Sequence, residues 1–446
     1  MNSVKEVRFP LLFWEFVDLL QSEWNKSKVD FVARMLVLGI IVTMTRAFAL
    51  TNLFEILLVS LFLVNSSLRA RLIQAHKDTR VALVTIFWAW ILVACLWGQA
   101  PLEERFQDWW SWRKLILVPI CFAIFPSERY KSWAAYALIG VCSIYMIASW
   151  LGTLEVIVLD RSPSQLLENH ATQGVLFSGA ALLTYLLAKG SGSILIRLMA
   201  ACLIGGFISN ILLVLTGRAG YVFLIVVVGW LAWVEAGRLR WLVSGFATII
   251  ILAFLFLSDV TRNRINEAFM EIRSVDTSEV YTSLGIRIVT WRNSIEMISN
   301  KPFFGSGAGS YYYDYGDNID PSGHWRERVS ADPLYQSKLD DWREVIVDDP
   351  HQQYLHIAAE YGLIGLIIFF FSLCSWAGSI DPNKGWADCA VAAILLGTIA
   401  NGFANGHFSA FVEGRFLWIF LAVLLAGSPD RVGQFFRRQK VFKGAL

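Results

Sequence analysis

The chain has 446 residues, of which 56% are hydrophobic and 17% charged, with 19 tryptophans and a net charge of +2. A soluble enzyme of this length usually carries about a quarter charged residues, so that class is excluded, and so small a net charge gives no reason to expect nucleic acid as a partner. The apolar residues lie in runs of about 18 or more, which are membrane spans by default because a helix pairs its own backbone in hydrocarbon.

In chain order, Phe9–Leu20 is amphipathic and too short to cross, and is expected to lie along the membrane surface. No cleavable signal peptide is visible, so the first span is expected to act as an uncleaved anchor. Twelve spans are expected near 31–47, 50–66, 81–98, 114–126, 133–152, 171–188, 193–214, 219–235, 240–257, 354–377, 386–402 and 408–427. The fourth is short and the first two are nearly fused. The implied fold class is an all-α polytopic membrane protein with one large periplasmic loop containing amphipathic helices. It would comprise a transmembrane bundle over 1–257, a loop or cap over 258–353, further transmembrane helices over 354–427, and a basic tail over 428–446.

Lysine and arginine in the short loops set the orientation. With the N-terminus inside, the cytoplasmic segments gather Lys26, Arg69, Arg71, Arg80, Arg129, Lys189, Arg238 and the tail residues Arg431, Arg437, Arg438, Lys440 and Lys443. The short outside segments hold fewer, among them Arg46, Arg105, Arg113, Lys114, Arg161, Arg218 and Arg415. An even number of spans puts both termini inside. The basic tail is read as a topology signal near anionic lipid. Cys95, Cys121, Cys142, Cys202, Cys374 and Cys389 all fall in or beside apolar runs, so neither a disulfide framework nor a thiolate metal cluster is expected.

Three features on the outside face bear on chemistry. Arg218 stands in the very short turn Thr216-Gly217-Arg218-Ala219-Gly220. An arginine at that depth is either functional or a snorkelling residue in a tight turn. Next, Leu284, Ile288, Trp291, Ile295 and Ile298 recur at helical spacing, with Arg287 beside the stripe, and describe an amphipathic helix lying on the membrane or the bundle. Pro302 and the run Gly305-Ser306-Gly307-Ala308-Gly309 end that helix. The run is not a P-loop, since no Gly-Lys-Ser/Thr follows.

The third feature is Asp348-Asp349-Pro350-His351-Gln352-Gln353-Tyr354-Leu355, followed by Glu360-Tyr361-Gly362-Leu363-Ile364-Gly365. Asp349 suits an N-cap and Pro350 a first helical position, which would put His351 in the first turn, at the positive end of the helix dipole. That end favours a neutral imidazole and a bound anion, a setting for a general base; the alternative is an interfacial histidine. His351 and His356 are five apart and form no zinc pair. Asp348 and Asp349 could hold a divalent ion, though adjacent carboxylates at a helix start are more often caps.

Taken together, Arg218 in its short turn, Gly285-Ile286-Arg287 with Trp291 and the later Pro302 and Gly305-x-Gly307, and His351-Gln352-Gln353-Tyr354-Leu355 with Glu360-x-Gly362-x-x-Gly365 resemble the O-antigen ligase and O-antigen polymerase superfamily, most closely the ligase, over about 205–370. The resemblance implies an inverting glycosyltransferase of the bacterial inner membrane that needs no cofactor and no metal. Its donor would be a glycan on undecaprenyl diphosphate and its acceptor the lipid A-core, met at the periplasmic face. It further implies that Arg218 and Arg287 hold the diphosphate and that His351 acts on the acceptor hydroxyl. Two guanidiniums and a helix N-terminus suit the charge that develops on a departing diphosphate.

Further substrate-binding candidates are Lys114 and Arg113 at the outside start of span four, His170 and Gln173 at that of span six, and Gln352 and Tyr354. Tyr354, three residues after His351, is expected on the same helix face. Within the superfamily, a polymerase or a protein O-oligosaccharyltransferase is the alternative; the compact chain with a single large loop favours the ligase. From another class, a secondary transporter would show two comparable halves, which are not seen here. A membrane scaffold gives no reason for Arg218, Arg287 and His351 to reach one face.

Overall fold

The computed structural model describes residues 13–157, 165–215, 217–257, 283–332 and 345–434. Arg161, Thr216, the first residues of the expected surface helix, the loop stretches 258–282 and 333–344 and the end of the basic tail lie outside them. All regular structure among the described residues is helical. The first half runs α1 (Phe13–Lys26), α2 (Lys28–Thr43), α3 (Phe48–Val64), α4 (Ser66–Ala75), α5 (Thr79–Ala94) and the short α6 (Leu102–Ser111). A 3-10 turn over Arg113–Ile116 leads into α7 (Leu117–Ile124), and then come α8 (Glu128–Thr153), α9 (His170–Ala188), α10 (Ile194–Leu213), α11 (Arg218–Glu235) and α12 (Arg240–Leu257). The large loop contributes α13 (Ser283–Asn300), α14 (Tyr311–Ile319) and α15 (His324–Ala331). The chain returns to the bundle with α16 (Gln353–Ala377) and α17 (Trp386–Gly402). It continues with α18 (Phe411–Arg415), a π-helical turn over Phe416–Phe420, and α19 (Leu421–Leu425).

Each of the twelve apolar runs contains a helix. Among the described residues, α8, α9, α10 and α16 are individually long and apolar enough to cross a membrane, and α3 with α4, bent by 100° at their junction, qualify together. The fourth run is helical for only eight residues. It starts from a 3-10 turn and stops at Phe125, the residue before Pro126, where the α conformation is disfavoured. Large apolar side chains remain exposed around the bundle, among them Ile56, Leu63, Ile144, Leu195, Trp241 and Phe246. A water-soluble protein does not tolerate such a belt, whereas lipid covers it without cost.

The basic short loops gather at one end of the bundle. There Arg34 donates to the Ile124 carbonyl at 2.8 Å, buried Arg80 pairs with Asp78 at 2.6 Å and bonds Ser428, and Arg431 reaches Asp381 at 3.1 Å. The other end carries α6 and α13–α15. Helix α9 is the most enclosed of the long helices, with 83% of its apolar window buried, and it touches α8, α10, α11, α17 and α18. Small residues permit this. A Cβ on Gly174 would lie 2.6 Å from the Gly220 Cα, so α9 and α11 meet backbone to backbone.

The large loop is held to α16 by a seam of backbone bonds. Gly362 has φ 70° and interrupts α16. The freed N–H and C=O groups are taken up from outside the helix: Leu363 donates to the Pro302 carbonyl at 2.8 Å, while the Ala359 and Glu360 carbonyls accept from Ser306 and Gly307 at 2.7 and 2.8 Å. The glycine run is therefore more than a helix stop. Gly305 and Gly307 adopt positive φ against α16 and the turn after α5, where a Cβ would strike the Glu360 carbonyl at 2.5 Å or the Gly98 Cα at 2.4 Å.

The helix expected around Leu284–Ile298 is present as α13, but its buried face is not the apolar stripe. Thr290, Ser294 and Met297 are buried, whereas Ile288 and Ile295 are exposed. The arrangement has a physical reason. Small polar residues allow close packing on α14 and α16, and an apolar face that fails to find the bundle is well placed in lipid.

Candidate active site

The segment 348–352 departs from the expected helix start. Helix α16 begins at Gln353, and its N-cap is Gln352, whose Oε1 accepts the Leu355 N–H at 2.6 Å. Asp349 instead accepts the His351 N–H at 2.6 Å, closing a local turn. His351 is thereby thrown to φ 52°, a left-handed conformation that a non-glycine residue adopts at a cost. The imidazole is exposed, just ahead of the helix instead of inside its first turn. Two capping side chains compete here, and the one nearer the apolar run wins.

Two tethers fix this turn. Trp291 of α13 donates its indole N–H to the Pro350 carbonyl at 2.9 Å. Asp349 lies against Gly406, where a Cβ would stand 2.9 Å from Oδ2, and Gln353 accepts the Phe408 N–H at 2.9 Å. The loop between α17 and α18 is therefore clamped beneath His351. Arg287, one helical turn before Trp291, is partly buried on α13.

Arg218 is the first residue of α11, with Gly217 as N-cap. This helix start is wedged against the start of α9, since a Cβ on Gly217 would meet Ala171 N at 2.7 Å. The end of α17 holds it as well: Asn401 donates to the Ala219 carbonyl at 3.2 Å. The Arg218 helix start, the α13 helix carrying Arg287 and the His351 turn thus converge on one end of the bundle.

The remaining candidates occupy different settings. Lys114 is buried and donates to the carbonyls of Ser409 and, at 2.7 Å, Ala410, which anchors the approach to α18. Arg113 bonds Asn52 at 2.7 Å and lies 3.5 Å from Glu55, which buried Arg415 also engages at 2.6 Å. Arg113 stands at the mouth of an apolar crevice of about 350 Å³ between α3 and the 3-10 turn. His170 opens α9 after its cap Asn169, and its Nδ1 is buried without a hydrogen bond. Gln173 is fully buried and accepts the Leu166 N–H at 3.0 Å, so it braces the approach to α9. Tyr354 is a second correction. It does not share a face with His351 but is buried, donating to the Ile399 carbonyl at 2.6 Å among Phe370, Phe403 and Phe408. The helix starts only after His351, so the three-residue spacing has no helical meaning.

Sequence reasoning passed over two polar groupings. In one, His407 Nδ1 lies 3.2 Å from buried Glu413, which also accepts from Thr172. The other lines a cleft beside the His351 turn. There His356 stacks on Tyr311 with ring centres 5.3 Å apart and lies 3.2 Å from Glu360. Tyr311 donates its N–H to Glu360 at 3.1 Å and shares a 2.7 Å hydroxyl bond with Ser294. On the facing wall, Asp108 accepts from Tyr361 at 2.7 Å and from the Gly309 N–H at 3.2 Å. Burial, and then the neighbouring Glu360 charge, push the Asp108 carboxyl up to about 8. The spacing of His356 and Glu360, four apart on a helix, was the available signal; Asp108 comes from far away in the chain and left none.

No curated protein matches the chain. The family model described as O-antigen ligase matches residues 203–370, a stretch that runs from α10 through the large loop into α16 and includes Arg218, Arg287 and His351. Residues 203–370 are thus an O-antigen ligase domain within this membrane protein, which supports a place in the O-antigen ligase superfamily.

Proposed function

We propose that the chain is an inverting, metal-independent glycosyltransferase that moves a glycan from undecaprenyl diphosphate to a hydroxyl of the lipid A-core. In this reading it is a multi-pass protein of the bacterial inner membrane with both termini cytoplasmic and its active site facing the periplasm. The observation that carries the reading is the convergence just described. An exposed imidazole in a strained turn is tethered through Trp291 to the Arg287 helix and, through the Gly406 loop and Asn401, to the start of the Arg218 helix. Strained backbone held by several contacts is a mark of functional positions.

In the proposed step the acceptor oxygen attacks the anomeric carbon from the face opposite the diphosphate. The bond from that carbon to the diphosphate oxygen breaks and its electron pair leaves with the phosphate. His351 takes the acceptor proton. Arg218 and Arg287 bind the diphosphate as its charge grows, in a setting where guanidinium–phosphate bonds are strong and need no further cation.

The experiment is transfer in vitro with purified protein, a lipid-linked donor, and either core lipid or a second donor molecule as acceptor. Product on core lipid is expected, and product only on the second donor would make the chain a polymerase. EDTA is expected to leave the rate unchanged; loss of activity restored by a divalent cation would refute the metal-free step.

A further inference from the structure

The bundle has an apolar crevice at the end opposite His351. Helix α3 ends and α4 begins at the same residue, Asn65, whose side chain accepts the Leu68 N–H at 3.0 Å. The chain bends there by 100°, so α4 runs across the direction of α3. Helix α4 packs on α7, which is helical for only eight residues. A span that short leaves space beside it. The space is a crevice of about 320 Å³ between α3, α4, α5 and α7, walled by Val59, Leu63, Ile73, Trp88 and Pro119.

The charged groups at its rim are cationic, and no acidic residue lines it among the described residues. Arg69, Ile73 and His76 follow at four- and three-residue spacing along α4 and its cap, so they share one face. The Arg69 guanidinium folds over the end of α3 and donates to the Leu63 carbonyl. It meets no carboxylate among the described residues, whereas nearby Arg71 bonds Asp30 at 3.2 Å and Arg80 pairs with Asp78 at 2.6 Å. His76 uses Nδ1 on the Leu72 carbonyl at 2.8 Å, which leaves Nε2 for an outside partner.

The crevice at Arg113 makes the contrast. It shares Val59 and Ile116 with this one, so the two form one groove along α3. Yet Arg113 already has a carboxylate, Glu55, at 3.5 Å and a bond to Asn52 at 2.7 Å. The uncompensated charge therefore lies at the end where the basic short loops gather. A guanidinium beside hydrocarbon is costly without a counter-ion. A phosphate meets it with strong charge-assisted bonds, and anionic lipid is drawn to such basic rims. The apolar walls beneath suit the acyl chain of the same molecule.

We propose that the crevice between α3, α4, α5 and α7 seats an anionic phospholipid of the leaflet at the basic end. Its phosphate rests on Arg69 and His76, and one acyl chain lies against Trp88 and Pro119. The lipid completes packing that the eight-residue α7 leaves open. The diphosphate of a lipid-linked donor would lie at the opposite end, by Arg218 and Arg287, so this is a separate site and stands whether or not the chain is a transferase.

For the test, full-length protein is delipidated in detergent and offered phosphatidylglycerol, phosphatidylcholine or undecaprenyl phosphate. Native mass spectrometry counts the retained lipid, and thermal scans follow stability. Phosphatidylglycerol is expected to be retained and to raise the apparent melting temperature, as a ligand of the folded state does. Phosphatidylcholine carries its own cation and is expected to do neither. Arg69→Gln is expected to weaken retention about tenfold or more, the worth of a hydrogen bond to a charged group. Ile73 is 69% exposed, so Ile73→Trp fills the crevice without disturbing the core and is expected to abolish retention with Arg69 intact. Arg238→Gln, at the same basic end but away from the crevice, should retain lipid as the parent does. Full retention by Arg69→Gln or Ile73→Trp would overturn the proposal. So would an equal loss in Arg238→Gln or equal retention of phosphatidylcholine, since either means unspecific attraction. Preferential retention of undecaprenyl phosphate would assign the crevice to a polyprenyl chain and overturn it too.

Discussion

Trp291 and Pro350 are joined by a single hydrogen bond, indole N–H to carbonyl oxygen at 2.9 Å, and this bond links the helix bearing Arg287 to the turn bearing His351. If the two residues act on one substrate, loosening the link should cost activity more than stability. Trp291→Phe keeps the ring and removes the donor. A net hydrogen bond is worth about 0.5–1.5 kcal/mol, so a drop in transfer of roughly threefold to tenfold is expected. The apparent melting temperature in detergent should move little. A variant with full activity would show that the tether does not position the site.

His351 offers a cleaner separation of backbone from side chain. Its φ of 52° strains any residue with a Cβ. Both His351→Ala and His351→Gly are expected to abolish transfer, since both lose the imidazole. Glycine relieves the strain that alanine retains, about 1–2 kcal/mol, less its own entropic cost of up to about 1 kcal/mol. His351→Gly should therefore be at least as stable as His351→Ala. Normal lipopolysaccharide capping by either variant, in a strain lacking its own ligase, would remove His351 from the mechanism.

The arginines are expected to behave differently from His351. Arg218→Ala and Arg287→Ala should weaken use of the lipid-linked donor, raising its KM as well as lowering kcat, because a ground-state contact with the diphosphate is lost along with transition-state stabilisation. Each should cost about 1.5–3 kcal/mol, the worth of a hydrogen bond to a charged group. Acceptor KM should be unchanged. A shift confined to acceptor KM would assign these arginines to the other substrate.

The helices were legible because apolar runs are local, and each of the twelve runs contains one. What was not legible has three physical sources. Asp349 and Gln352 both suit a cap, and only the packed structure decides that Gln352 closes the helix while Asp349 closes the turn. On α13 the spacing left open whether the apolar stripe meets membrane or bundle, and only the packing shows Thr290 and Ser294 buried while Ile288 and Ile295 are exposed. The cleft lined by Asp108 and Glu360 joins residues far apart in sequence, and no periodicity reports such a meeting. Gly362, by contrast, stood in the quoted motif, and the structure supplies its reason: it breaks α16 so that the seam can form.

That reason predicts opposite signs for two glycine substitutions. A Cβ at Gly362 would lie 2.1 Å from the Phe303 carbonyl oxygen at a φ of 70°. Gly362→Ala is expected to destabilise the protein by about 3 kcal/mol or more, from the overlap and the left-handed conformation together. Gly140 lies within α8, where an added Cβ meets nothing within 4 Å. Gly140→Ala should stabilise by about 0.5–1 kcal/mol through helix propensity. Thermal scans of the two variants against the parent check this, and a tolerated Gly362→Ala would mean that the seam yields.

The raised carboxyl of Asp108 predicts how stability varies with pH. Its folded value of about 8 lies above the ordinary 3.8, so between these values the folded protein holds a proton that the unfolded chain releases. Its contribution is fully present below pH 3.8 and is lost as pH rises through 8. Above that point a partly buried carboxylate faces Glu360 and favours unfolding. Asp108→Asn keeps an oxygen for the Tyr361 hydroxyl or the Gly309 N–H but cannot ionise. Its apparent melting temperature should therefore hold up better than that of the parent between about pH 6 and pH 9, with the gap widening through the range and levelling off once Asp108 is fully ionised. Parallel curves for the two proteins across that window would mean that Asp108 titrates outside it.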